Sequence, residues 1–301
     1  MKVNICFIPE SFDFSRDQVS LALSIKASSD MINKYFEDDG FISFSKSKDF
    51  DCIAATEIFK QPSHLEGGIM MSLLYDANMG KANSLANLNS EQVKDLVDLD
   101  IPELDGAWLS LYRFSKLAKH KERNITDDHS LVKFGSDVLI NNPRSYNDYA
   151  ESFVQLYKNL IFLDYPSHKD YQTFNSIRKT EGGYQSFIKG ITDCLCFMDQ
   201  YQIVPNDSQN NIRNINAALD FSVTPEGGGK NKRAIAALKR DFLINGITYK
   251  NVNCEYHYKL EHVDGANGKG TYYFNRIYFG FFNKINPDKP QIAVAHIGEH
   301  L

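Results

Sequence analysis

The chain has 301 residues, 43% of them hydrophobic and 24% charged, and carries a formal net charge of -5 at pH 7. That size allows one large domain or two ordinary ones, with a core that needs no covalent staple. The balance describes a soluble globular protein and excludes the strong basicity of a dedicated nucleic-acid binder.

The apolar start at Met1 to Pro9 is too short for a signal peptide, and no apolar run reaches the roughly 18 residues that span a bilayer. The five cysteines form no CxxC pair, and Cys194 and Cys196 diverge on a predicted helix, so neither a disulfide framework nor a cysteine metal site is read. A cytoplasmic protein is expected, with no metal, no cofactor and no membrane partner.

Lys2 to Ile8 predicts a strand ending at Pro9, and Ser15 to Phe36 a helix capped by Ser15. Asp39-Gly40 turns the chain into a strand at Phe41 to Phe44, and Phe50 to Ala55 reads as another. No glycine-rich phosphate fingerprint follows these strands. From about Gly67 to beyond residue 200 the pattern is helical. Ser90 opens one helix; Leu104, Ala107, Trp108, Leu111 and Phe114 form a stripe on a second; Asp127 to Leu139 is a third. Tyr149, Phe153, Leu156, Leu160 and Leu163 repeat the spacing, as do Phe187, Ile191, Cys194, Leu195 and Met198. These stripes are read as core.

Pro205, Asn206-Asp207, Pro225 and Gly227-Gly228-Gly229 mark residues 205–229 as a linker, interrupted by a short helix from Asn211 to Leu219. It separates a mainly helical domain at 1–204, with a small β layer, from an α+β module at 230–301. From Glu226 onward the chain has eleven Lys and Arg against seven Asp and Glu, so the module is cationic and the remainder acidic. A helix is predicted from Lys232 to Ile244, ended by Asn245-Gly246. Its outer rows carry Lys232, Arg233, Lys239 and Arg240, which suit a phosphate backbone as well as an ordinary solvated face.

Three strands follow. In the first, alternation puts Glu255, His257, Lys259 and Glu261 on one face, with Cys254, Tyr256, Tyr258 and Leu260 on the other. Asp264-Gly265 and Asn267-Gly268 turn it toward the second strand as a hairpin. The second places Arg276 among tyrosines and phenylalanines; the third, Ile292 to Ile297, is apolar up to His296. The expected class is α+β: a mostly helical N-terminal part, then a C-terminal helix with an antiparallel sheet of three or four strands.

His257-Tyr258-Lys259-Leu260, Arg276-Ile277-Tyr278-Phe279 and Ile292-Ala293-Val294-Ala295-His296 resemble the strands of the RelE/HigB-like endoribonuclease toxins. The resemblance covers about the last 70 residues and leaves the region before 204 unaccounted for. It implies metal-independent RNA cleavage in a toxin–antitoxin or antiviral setting, with RNA as partner and an inhibitor or complex subunit as a second. That chemistry needs a base for the ribose 2′-hydroxyl, an acid for the leaving oxygen and cations for the phosphorane. His257, His296 and Glu261 are the candidate acid and base groups, Lys259 and Arg276 the cations, and Tyr272 and Tyr278 platforms for bases. Two rival readings stand beside it. In one, Glu255, His257, Glu261 and His296 hold a divalent ion of a metal-dependent nuclease. In the other, the chain is a non-catalytic nucleic-acid-binding or regulatory subunit.

Overall fold

The computed structural model describes residues 2–60, 64–101, 103–104, 106–113, 119–163, 184–220, 222–225, 238–260, 263–264, 271–272 and 275–301. They form an α+β protein built as two compact units, Met1–Val138 and Leu139–Leu301. The boundary therefore lies at 138/139. Residues 208–218 and 223–225 of the expected linker form a helix and a strand within the second unit.

In the first unit, β1 (Lys2–Phe7) is followed by α1 (Gln18–Tyr35), whose side toward the core carries Leu21, Ile25 and Ile32. The cap of α1 is Asp17, which accepts from the Ser20 amide; the hydroxyl of Ser15, the expected cap, is taken by Asp13. Next come β2 (Ile42–Ser47), α2 (Phe50–Phe59), α3 (His64–Leu74), β3 (Asn83–Leu85), α4 (Ser90–Val97), β4 (Glu103–Leu104), β5 (Ala107–Tyr112), β6 (Asn124–Ile125) and α5 (Asp128–Asn141). Two expectations are corrected here. Residues 50–59 are helical because Phe50, Ala54 and Ile58 recur every fourth position and bury one stripe. Residues 107–112 are a strand, since Leu109 to Tyr112 are buried on both faces, as in a central parallel strand. Phe114 lies outside the described residues.

The sheet runs β3-β2-β1-β5, parallel throughout, with β4 antiparallel and β6 parallel on the far edge of β5. Such a sheet offers a crevice where connections leave β1 in opposite directions, at the carboxyl ends of β1 and β5. Here aromatic rings fill it. Phe12 stands 6.2 Å from Phe7 and 6.4 Å from Tyr112, the last residues of those strands, with Phe50 and Phe14 packed behind it.

The second unit contains α6 (Tyr146–Leu156), β7 (Leu160–Phe162), α7 (Ile188–Gln200), α8 (Ser208–Ala218), β8 (Val223–Pro225), β9 (Lys239–Ile244), β10 (Ile247–Asn253), β11 (Tyr256–Lys259), β12 (Val263–Asp264), β13 (Thr271–Tyr272), β14 (Asn275–Phe282) and β15 (Gln291–Glu299). The stripe from Tyr149 does not continue as one helix to Leu163. α6 stops at Leu156, and Leu160 enters β7 behind Asn159, which the Asp199 carboxylate holds by its backbone amide at 2.8 Å. The helix expected from Lys232 to Ile244 is also corrected over its described part. Residues 239–244 are β9, paired antiparallel with β10. Asn245 and Gly246 have φ of 50° and 78°, the pair of positive values a two-residue hairpin turn demands. Lys232 and Arg233 lie outside the described residues.

The main sheet of this unit runs β7-β15-β14-β11-β8. β14 is antiparallel to both β11 and β15, and β7 joins parallel to β15. One face buries Tyr258, Leu260, Ile277 and Phe279, and Leu260 lies against Gly190 of α7. The other face is covered at one end by the β9–β10 hairpin, where Phe242 and Val252 pack with Phe282, Ala293 and Ala295. The chain entering β11 crosses β14 so closely that a Cβ on Gly280 would stand 2.0 Å from the Asn253 carbonyl oxygen.

Candidate functional site

Beyond the hairpin, the same face of the sheet turns polar. Register pairs Thr224 with His257, His257 with Tyr278 and Tyr278 with His296, so one row crosses β8, β11, β14 and β15. Two residues along, Lys259 pairs with Arg276, and alternation returns both to the same face. A bulge in β15 completes the row. Phe279 pairs with Val294 but Tyr278 with His296, so Ala295 is the extra residue and both 295 and 296 stand opposite Tyr278.

The rings make a continuous layer. His257 and Tyr278 have centroids 5.4 Å apart, and Tyr278 and His296 5.8 Å. Tyr278 is fully buried, and its hydroxyl oxygen accepts from the Arg276 guanidinium and the Leu301 amide, each at 3.3 Å. The phenol is thus wedged between two imidazoles, which corrects its expected use as an open stacking platform for bases.

Both imidazoles are nearly enclosed, with 4% of His257 and 9% of His296 exposed. His257 Nε2 lies 3.0 Å from the Thr224 hydroxyl. Burial, then the charges of Arg276, Lys259 and His300, push its pKa down to about 3. His296 Nε2 lies 2.9 Å from the Glu299 carbonyl oxygen, which can only accept, so the neutral ring carries its proton on that nitrogen. Burial lowers His296 to about 4; the Glu299 bond opposes the fall and the charge of Arg240 adds to it. Both rings are therefore neutral at pH 7.

The fold gathers His257, Lys259, Arg276, Tyr278 and His296 on one face, and Arg240 of the hairpin is near enough for its charge to act on His296. Lys239 is exposed at the start of β9, and Tyr272 lies in β13, paired with Val263. Glu261 falls outside the described residues. Among the described residues no group of three or more His, Cys, Asp or Glu is arranged to hold a metal ion. No described helix is long and apolar enough to cross a membrane. Sequence reasoning missed Thr224 because its strand lay inside the expected linker. No family model, curated protein or solved structure matches the chain.

Proposed function

We propose that the second unit binds RNA on this face and cleaves it without a metal ion. The reading is carried by one observation: a neutral, nearly buried imidazole, His257, stands beside Lys259 and Arg276 on a single strand pair. His257 takes the proton of a ribose 2′-hydroxyl as that oxygen attacks phosphorus. Arg276, aided by Arg240, stabilises the charge on the phosphorane oxygens. As the bond from phosphorus to the 5′-oxygen breaks, the Lys259 ammonium gives that oxygen a proton, leaving a 2′,3′-cyclic phosphate. His296 supports the row through its contact with Tyr278.

The burial of all three rings favours a second reading, in which the face contacts RNA only through its cations and the protein is a binding or regulatory subunit. Cleavage of labelled RNA and DNA, with and without EDTA, tests both. The proposal expects RNA alone to be cut, EDTA to have no effect, and His257→Ala to lose about 10²- to 10⁴-fold in rate while keeping its circular dichroism. Cutting abolished by EDTA overturns the metal-free mechanism. Binding without cutting, weakened by Lys259→Ala and Arg276→Ala, establishes the second reading.

A further inference from the structure

His257 lies one strand in from the rim of its sheet and is nearly enclosed. The strand at the rim is β8, and there Thr224 is only half-buried. Its hydroxyl oxygen stands 3.0 Å from His257 Nε2. A hydrogen bond to the Glu255 backbone favours the protonated ring, as a carbonyl acceptor does. An imidazole oriented by one acceptor, with its other nitrogen against a hydroxyl, is the arrangement that activates that hydroxyl. Two cations border the pair. The charges of Arg276 and Lys259 both act on the ring. The Lys259 amide also donates to the carbonyl of Ser222, two residues before Thr224, at 3.3 Å. Hydroxyl, imidazole and both cations therefore share one corner of the sheet.

The enclosed ring leaves a substrate oxygen little direct access to Nε2, and the Thr224 hydroxyl already stands on that side. We propose that Thr224 is the residue that touches the ribose 2′-hydroxyl, and that it relays the proton to His257. In this arrangement the ring proton sits on Nδ1 and the Thr224 hydroxyl donates to Nε2. Its oxygen keeps lone pairs for a substrate donor. As the 2′-oxygen bonds to phosphorus, its proton passes to Thr224 Oγ1 while the proton of Thr224 passes to Nε2. Thr224 ends as it began and His257 ends as imidazolium. The bond from phosphorus to the 5′-oxygen breaks as Lys259 gives that oxygen a proton, and solvent then resets both groups. The relay rests on the RNA-cleaving reading above and names the residue through which its base works. Burial is the first cause that keeps the free ring neutral, and the charges of Arg276 and Lys259 come next. A phosphate bound at those cations cancels the second cause, so the ring becomes a better proton acceptor when substrate arrives.

Nitrogen-15 shifts of the His257 ring in the full chain read the tautomer without any RNA. A protonated Nδ1 and an unprotonated Nε2 are expected at pH 7. A proton on Nε2 makes Thr224 the acceptor and overturns the relay, whatever the chain does to RNA. Cleavage of labelled RNA then reads the transfer. Thr224→Val keeps the shape of the side chain and removes the hydroxyl. It is expected to lose about 10²- to 10⁴-fold in rate, the loss expected of His257→Ala, while Thr224→Ser stays within about tenfold of the wild type. The chain carrying both Thr224→Val and His257→Ala is expected to be no slower than the worse single variant, because residues of one relay act as a unit. Losses that multiply in the double variant, or a Thr224→Val chain as fast as the wild type, overturn the relay and leave the cleavage reading standing. A wild-type chain that cuts no RNA overturns both. Should Thr224→Val lose its circular dichroism, the tautomer and Thr224→Ser decide, and a serine chain slower than about tenfold below the wild type overturns the relay.

Discussion

Acid should loosen the second unit through its two buried imidazoles. In the fold His257 and His296 have pKa values near 3 and 4; in the unfolded chain both return to about 6.5. Between pH 6.5 and 4.5 the unfolded chain binds two protons that the folded one refuses. Stability is thus fully present above 6.5 and is lost as pH falls. Each ring forfeits up to about 1.4 kcal/mol per pH unit, or about 2 kcal/mol across those two units since the unfolded ring is already half protonated at 6.5. The single tryptophan, Trp108, lies in β5 of the first unit, so its fluorescence reports on the wrong part of the chain. Native-state hydrogen exchange at the β14 and β15 amides, corrected for the intrinsic rate, reads the right one. Protection there is expected to fall by about 4 kcal/mol from pH 6.5 to 4.5 in the wild type, as an upper bound, and by about half as much in His257→Asn. The His257 and His296 imidazole resonances of the folded chain should show no protonation above pH 5. Either of these two rings titrating near 6.5 would refute the argument, and so would a His257→Asn chain as acid-sensitive as the wild type.

Gly280→Ala should destabilise the second unit by about 1–3 kcal/mol or more, because the atoms its Cβ meets are backbone atoms of Asn253 and Cys254, which cannot rotate away. Urea unfolding followed by circular dichroism measures it, and an unchanged midpoint would mean the crossing is looser than described. For RNA binding, Lys259→Ala and Arg276→Ala should each lower the slope of log affinity against log salt by about one, since each removes one phosphate contact. A parallel shift in affinity with no change in slope would take these cations off the backbone.

The polar face was legible from the sequence because strand alternation is strict: His257 with Lys259, and Arg276 with its paired strand, follow from a period of two. What surrounds it was not. Asn245-Gly246 is a helix stop and a hairpin turn with equal right, and only the apolar partners Phe242 and Val252, brought together by pairing, decide between them. The run from Ala107 to Tyr112 satisfied a helical stripe because nearly every position in it is apolar, a pattern that cannot separate a buried strand from a helix. Burial was the other blind spot. Tyr278 and both imidazoles carry polar atoms that suggested an open surface, yet their cross-strand neighbours and nearby backbone groups enclose them.

The extra residue in β15 sets how relatives of this site must be sought. Counting on from Ile292 and Val294 in unbroken alternation, His296 would stand on their side of the sheet, away from Tyr278; the irregularity at Ala295 moves it to the other. A template that fixes the spacing between an aromatic strand and its following histidine would reject a chain that builds the same row without the extra residue. It would also accept one that has the histidine at the same offset with the ring turned inward. The useful template is therefore three-dimensional: two imidazoles flanking a phenol across adjacent antiparallel strands, with a lysine and an arginine one repeat further on.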